Sequence, residues 1–220
     1  MAETNALEWD KTGERTYETG VNNVALYVMN DEGSYGAGIA WNGVTGITES
    51  PSGAETTSLY ADDIKYLTLL SAEEYGITIE AYGSPEEFDV CDGTAELSKG
   101  VTIGQQSRKK FGLAYKTRLG NDVKGTDYGY KLHIVYGALA SPSEKGHSTI
   151  NDSPEAITLS WEASTTPVSV TGHKPTACVT IDSTKIAHEK LQKIEAALFG
   201  GEAAPKLLLP DEIKALAEAA

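Results

Sequence analysis

The catalytic options open to this chain are few. His188-Glu189 opens the helical pattern that sets two imidazoles on one face to hold a zinc ion. That pattern needs a second histidine four residues after the first, and the sequence there reads HEKLQ, with Gln192 in its place. The four histidines, His133, His147, His173 and His188, fall in separate segments, and no pair has ligand spacing. Gly146-His147-Ser148 lacks the second glycine of a nucleophile elbow. Asn121-Asp122 and Asp127 frame a turn without the acid spacing of a calcium loop. Gly36-Ala37-Gly38 has neither the third glycine nor the helix of a dinucleotide site. The expectation is a protein with no catalytic residue, no metal and no cofactor, and so not an enzyme.

The remaining charged residues are better read as surface. Asp62-Asp63, Glu73-Glu74 and Glu86-Glu87 are adjacent pairs, and adjacent residues on a strand point to opposite faces, so none makes an acid/base dyad by itself. Arg108-Lys109-Lys110 is a short basic cluster, either a salt-bridging patch for an acidic neighbour or a guard on a strand edge. Against 18 basic residues stand 32 acidic ones, a formal charge of −14 over 220 residues. Binding nucleic acid by neutralising phosphates needs clustered Lys and Arg, which excludes that class. Solubility, or an acidic wall that must not hold a polyanion, remain as meanings of the charge.

The elements that would carry these residues read mostly as strands. Val24–Met29 is apolar on both faces and predicts a central strand covered on both sides. Ile64–Leu70 is a second strand candidate. In Gly76–Tyr82, Ile77, Ile79 and Ala81 share one face. Phe111, Leu113 and Tyr115 alternate with Lys110, Gly112, Ala114 and Lys116. Tyr130, Leu132, Ile134 and Tyr136 alternate with Lys131 and His133. In Ala156–Ser164, Ile157, Leu159, Trp161 and Ala163 oppose Thr158, Ser160, Glu162 and Ser164. Ala177, Val179 and Ile181 predict a last short strand. Alternation of this kind puts one face in a core, and many short strands between turns indicate a sandwich or a barrel-like sheet.

Helix signals are sparse. Ser84-Pro85-Glu86-Glu87-Phe88 predicts a short helix capped by the serine and ending before Gly93. Asp182-Ser183 is expected to cap a helix in which Ala187, Leu191, Ile194 and Leu198 recur at helical spacing, ending at Gly200-Gly201. A last helix, Pro210–Ala219, either packs on the domain or hangs free. The division this suggests is a β-rich domain over residues 1–200, with an N-terminal arm, and a helical C-terminal extension over 201–220.

Cys91 and Cys178 lie far apart without CxxC partners, and MAETNALEWD has no basic or apolar leader pattern. The expectation is synthesis in a reducing cytoplasm and two free thiols. No apolar run approaches the ~18 residues that suggest a spanning helix. Asn151-Asp152-Ser153 matches a glycosylation acceptor but reads as a turn.

The segment from Gly33 to Tyr60 stands apart. It is rich in Gly, Ser and Thr, with Trp41 as an apolar anchor and Ser50-Pro51-Ser52-Gly53 as a pivot. A stretch that cannot pack on its own core, yet is not filler, is a candidate for ordering against another subunit. That favours an assembly protein.

Four blocks carry a family likeness: GITESPSGAETTSLYADDIKYL (46–67), SAEEYGITIEAYGSPEEFDVCDG (71–93), GTDYGYKLHIVYG (125–137) and NDSPEAITLSWEASTTPV (151–168). Together they resemble the major tail protein, or tail tube protein, of long-tailed non-contractile bacteriophages, in its phi-thirteen-type subgroup. The resemblance runs in order from Leu7 to Gly200 and leaves out the tail beyond Gly201. It implies a mainly β, sandwich and barrel-forming tail tube fold with a short flanking helix; the sequence adds the C-terminal helix. It also implies self-assembly: six copies closing into a hexameric ring, with rings stacked into a tube for genome ejection.

Further implications concern sites and partners. An inter-ring loop maps to Gly43–Ser58, with Trp41, Gly43, Thr48, Glu49, Ser50, Pro51, Ser52, Gly53 and Glu55 as its candidate residues. An N-terminal arm maps to Ala2–Thr19. Glu73, Glu74, Glu80, Glu96 and Glu162 are candidate lumen acids that would keep DNA from sticking, within a screening length of about 8 Å. The implied partners are copies of the chain itself, a tape measure protein and a tail terminator. DNA would pass without specific binding, and no membrane is involved. The implied location is the virion tail, after synthesis in the host bacterial cytoplasm, with a monomer whose Gly43–Ser58 segment is disordered before assembly.

Two other classes stay in view. One is a virion β-sandwich module that binds carbohydrate or a host surface through exposed aromatic rings. Trp161, on the apolar face of its strand, is expected in the core instead. The other is a small hydrolase, for which no nucleophile–base pair is evident.

Overall fold

A computed structural model describes residues 6–150, 152 and 155–219. In chain order the first strands are β1 (Thr16–Val28), β2 (Ile39–Ala40), β3 (Val44–Gly53), β4 (Thr56–Ala61), β5 (Ile64–Leu70) and β6 (Glu73–Ala81). There follow β7 (Ala95–Ser98), β8 (Val101–Ile103), β9 (Phe111–Asn121), β10 (Gly125–Ala140), β11 (Leu159–Ser164) and β12 (Cys178–Asp182). The helices are α1 (Asp89–Asp92, after a 3₁₀ turn at Glu86–Phe88), α2 (His188–Phe199) and α3 (Pro210–Glu218). The chain is mainly β, with a large antiparallel sheet and few helices, arranged as a sandwich. It forms no closed barrel.

The long strand β10 belongs to both leaves of the sandwich. Along Lys131–Val135 it lies between β9 and β12, while Leu139 and Ala140 pair with β11. Gly137, at φ +59°, sits between these halves, where the register to β9 shifts. A side chain there would strike the Thr166 carbonyl, so the bend requires glycine. One leaf is therefore β2-β1-β9-β10 with β12 at its side, and the other is β11-β6-β3. β3 and β2 end the path, and β2 covers only Ala25 and Leu26 of β1.

Between the leaves, Val24, Leu26, Phe111, Leu113 and Val135 meet Ile77, Ile79, Trp161 and Ala163. Trp41 and Phe88 enter from connecting segments, with ring centroids 4.5 Å apart, and Phe88 lies edge-on to Phe111 and Trp161 at 5.3 Å. Such aromatic pairs add about 0.5–1.5 kcal/mol each beyond the area they bury. The outer face of the main leaf makes a second core. There Ala25, Tyr27, Ala114, Leu132, Ile134 and Tyr136 pack under Leu191, Ile194 and Leu198 of α2. The expected two-sided burial of Val24–Met29 follows from this three-layer arrangement, and the same layering buries all of Phe111–Tyr115.

The C-terminal residues pack on the domain. Leu207, Leu208 and Ile213 join the second core, and Lys206 N–H donates to the Ala197 carbonyl at 2.7 Å. α3 opens with Pro210, and the Glu212 carboxylate accepts from Leu209 N–H at 2.8 Å. Two helix starts differ from expectation. Ser84 caps nothing, because the 3₁₀ turn begins after Pro85 with no side-chain cap. Asp182 ends β12 and its carboxylate holds Thr184 in a turn, so α2 starts only at His188. Both cysteines are free thiols, and no helix among the described residues is long and apolar enough to cross a membrane.

Candidate functional site

The segment 43–58 is not a loop. It is β3, paired along its length with β6, and the start of a second hairpin. Beyond the sandwich the ribbon continues: Ala54 N–H donates to Ala72 O at 3.2 Å and Ser71 N–H to Glu55 O at 3.0 Å. These bonds carry β3–β6 into β4–β5, forming an arm. Gly53 and Ala54 kink the junction at φ +78° and +52°, and a side chain at Gly53 would hit the Ala72 carbonyl. The tip turns at Asp62 and Asp63, both at positive φ, as a two-residue hairpin demands of its central pair.

β4 and β5 pair only with each other. Yet they carry Leu59, Tyr60, Ile64, Tyr66, Leu67, Leu69 and Leu70, exposed by 37–72%. Period-two alternation along β5 divides Lys65, Leu67 and Leu69 from Ile64, Tyr66, Thr68 and Leu70, so both faces of the arm are apolar. Exposed apolar surface of this density marks an interaction site. The pattern that made Ile64–Leu70 read as a strand is thus correct in type. The missing information was that no layer among the described residues covers it.

The second feature is the outer face of the smaller leaf. Register places Ser52 opposite Glu74, Ser50 opposite Gly76, Thr48 opposite Thr78, and Thr78 opposite Glu162. Gly46, Glu80 and Ser160 extend the same face. It holds only Gly, Ser, Thr and Glu, and β3, β6 and β11 contain no Lys or Arg at all. An open depression of about 720 Å³ runs over it, reaching Ser50, Glu74, Thr78 and Glu162. Of the five expected lumen acids, Glu74, Glu80 and Glu162 therefore share one surface. Glu73 also borders the depression but lies at the arm junction, opposite Gly53. Glu96 sits apart on the β7–β8 hairpin, where it accepts from Gly100 N–H.

The expected inter-ring residues scatter. Trp41 is core: it is 3% exposed, and its indole N–H donates to the Gly83 carbonyl at 2.8 Å. Gly43 precedes β3, and its carbonyl accepts from Tyr82 N–H. Thr48, Ser50 and Ser52 lie on the acidic face, Pro51 opposite Tyr75, and Gly53 and Glu55 at the arm junction. Glu49 turns inward to accept from Tyr115 Oη at 2.7 Å. The hydrogen bond with His133, opposed by burial and helped by Tyr115 and Tyr75, brings its carboxyl down to about 2.

Glu49 thereby enters a polar group that sequence spacing did not expose. His133, stacked on Tyr115 with centroids 4.8 Å apart, lies between Glu49 and Glu18. Lys131 pairs with the other oxygen of Glu18. Burial raises the Glu18 carboxyl, but its bonds from Lys131 and Thr117 outweigh that and leave it lowered. Alternation along β10 put Lys131 and His133 on one face, which was the only signal available. Their partners come from β1 and β3, more than 80 residues upstream.

The N-terminal arm is anchored where it meets β1: Gly13 N–H donates to Asp122, and Asn121 Nδ2 donates to the Gly13 carbonyl. Leu7 and Trp9 are exposed, and residues 2–5 lie outside the described residues, as do Asn151 and Ser153 of the acceptor triplet. The basic cluster is bound within its own chain: Lys109 to Asp31 at 2.8 Å, Arg108 to the Asp92 carbonyl and Lys110 to Thr166. No cluster of three or more His, Cys, Asp or Glu suited to a metal occurs among the described residues. Compared with models of known protein families and with curated proteins, the chain matches none.

Proposed function

We propose that this chain is a structural subunit that self-assembles into hexameric rings stacked as a tube, and that it builds a bacteriophage tail. The observation that carries the reading is the arm, a hairpin apolar on both faces that nothing among the described residues covers. A hairpin of this kind, isolated in water, is marginal in stability, so its apolar side chains call for a partner surface. Stacked rings of identical subunits supply that surface at every level, through a heterologous contact that repeats. The open borders of the leaves at β3 and β1 support ring closure, since exposed strand edges pair readily with another chain.

The Gly/Ser/Thr/Glu face fits the wall of a channel for DNA. It offers carboxylates and no cation, so a passing polyanion meets nothing that retains it. On this reading the chain is not an enzyme and takes no cofactor. Tape measure and terminator proteins are its other partners, and the assembled form resides in the virion tail after synthesis in the host bacterial cytoplasm.

Electron microscopy of the purified protein at high concentration is the direct test. Rings or tubes are the expected result. Monodisperse particles that bind glycans instead would overturn the proposal in favour of a recognition module.

A further inference from the structure

At one end the space between the leaves opens on the partly exposed acids Glu18 and Glu49, and there His133 has a carboxylate and a threonine hydroxyl near each ring nitrogen. Nε2 lies 2.9 Å from Thr117 Oγ1 and 3.4 Å from Glu18 Oε1. Nδ1 lies 3.3 Å from Glu49 Oε1 and 3.5 Å from Thr180 Oγ1. Hydrogen counting bears on the state of the ring. The single hydroxyl hydrogen of Thr117 is donated to Glu18, so its oxygen can only accept from Nε2. Glu49, as a carboxylate, only accepts, so Nδ1 complements it only when it carries a hydrogen. A neutral ring can donate from Nε2 to Thr117 and accept the Thr180 hydroxyl at Nδ1. It then sets a lone pair against the Glu49 carboxylate 3.3 Å away, whereas imidazolium presents a hydrogen to both acids.

We propose that His133 is a protonated clasp that ties β3, the strand bearing the arm, to β1 and β10, and that loss of its proton slackens this attachment. The groups around it are Glu18 from β1, Tyr115 and Thr117 from β9, Lys131 from β10, Thr180 and Cys178 from β12, Glu49 from β3 and Tyr75 from β6. Lys131 cannot replace the imidazolium, because it is engaged by the far oxygen of Glu18. The Glu49 carboxyl, brought down to about 2, remains ionised throughout the range in which a histidine titrates.

The sign follows from two anions flanking one cation. The clasp is closed while His133 is charged and opens as pH rises and the proton leaves, when a lone pair comes to face a carboxylate. Protonation of Glu49 sets its lower limit, near 2. The position matters because Glu49 lies in β3, four residues before the kink at Gly53 from which the arm departs. Release at this point loosens the arm at its root while the aromatic core is untouched. The clasp is a property of the single chain and stands whether or not the chain forms tubes.

Nitrogen-15 shifts of the His133 ring, measured on the full chain from roughly pH 5.5 to 10, bracket the ~6.5 of a free imidazole. Amide exchange of β3, corrected for intrinsic rate and compared with β9, reads the attachment over the same range. Both nitrogens are expected to be protonated at the acid end. At the alkaline end, β3 protection is expected to fall about tenfold or more relative to β9. His133→Gln should show the weaker protection throughout. If that variant does not fold, Glu49→Gln, which removes the charge and keeps the shape, should abolish the pH dependence. A single neutral tautomer across the range, or β3 protection that tracks β9 at every pH, would overturn the clasp.

Discussion

Tyr136, buried in the middle of the main leaf, donates its hydroxyl hydrogen to the carbonyl of Leu208 at 2.8 Å. The bond joins residues 72 positions apart, and a matching one runs from Tyr27 to the Leu198 carbonyl. Burial pushes both phenols well above their ordinary range, so they remain donors at any working pH. The segment after Gly200 is thereby part of the lid on the second core.

Tyr136→Phe leaves the Leu208 carbonyl buried without its donor. The expected cost is about 1–3 kcal/mol in denaturant unfolding. Leu207→Ala removes a buried side chain from the same lid and should cost about 2–5 kcal/mol. Unchanged midpoints in both variants would show that the tail is not held as described.

The arm can be tested apart from the globule. Replacing Tyr60, Tyr66 and Leu69 together with serine removes exposed apolar surface and touches neither core. Unfolding free energy of the globule should change by no more than about 0.5 kcal/mol, while sedimentation should show that assembly is lost. Assembly that survives the triple change would remove the arm from the interface.

Gly53→Ala addresses the kink. Its φ of +78° and the nearby Ala72 carbonyl leave no room for a methyl group without backbone movement. The strain, about 1–2 kcal/mol, should redirect the arm and slow assembly while the aromatic core keeps its near-ultraviolet circular dichroism. Wild-type assembly kinetics would contradict the proposed role of the junction.

Glu74, Glu80 and Glu162 lie on one face, so Lys at all three positions creates a local cationic strip. Under the tube reading, assembly should persist and genome release should slow. Ejection kinetics equal to wild type would eliminate the repelling wall as the meaning of that face.

Acid stability has a defined sign. The Glu49 carboxyl lies below its ordinary value, chiefly through the His133 hydrogen bond, so its contribution is present above the ordinary carboxyl range and lost as pH falls toward about 2. Glu18, lowered by Lys131 and Thr117 against the effect of burial, acts in the same direction. Glu49→Gln should therefore unfold with a weaker dependence on pH below about 4.5. An unaltered acid limb would show that the ion pair contributes nothing to it.

Alternation made most of the sandwich legible. Ile77, Ile79 and Ala81, then Trp161 and Ala163, and Leu132, Ile134 and Tyr136 read as buried faces and are buried, whereas Ile157, expected on the Trp161 face, lies exposed ahead of β11 and Leu159 is half-buried. The helical stripe of Leu191, Ile194 and Leu198 is legible too, because a side-chain period depends only on local backbone geometry. β3 escaped notice because VTGITESPSG is polar, carries Pro51 and has almost no apolar alternation. It is held as a strand by its ladder to β6, and Pro51 is tolerated because β3 ends the path of strands.

What the sequence by itself determined is therefore periodic: strand faces, the amphipathic helix, an acid-rich surface and the absence of familiar catalytic spacing. Tertiary structure alone decided which apolar strands found a partner. Leu113 and Leu69 belong to equally apolar strands, yet one is fully buried and the other is half exposed on an arm. It alone also brought Glu18, Glu49 and His133 together from three strands. Burial and ion pairing depend on which segments meet in space, and long-range contacts leave no periodic trace in the chain.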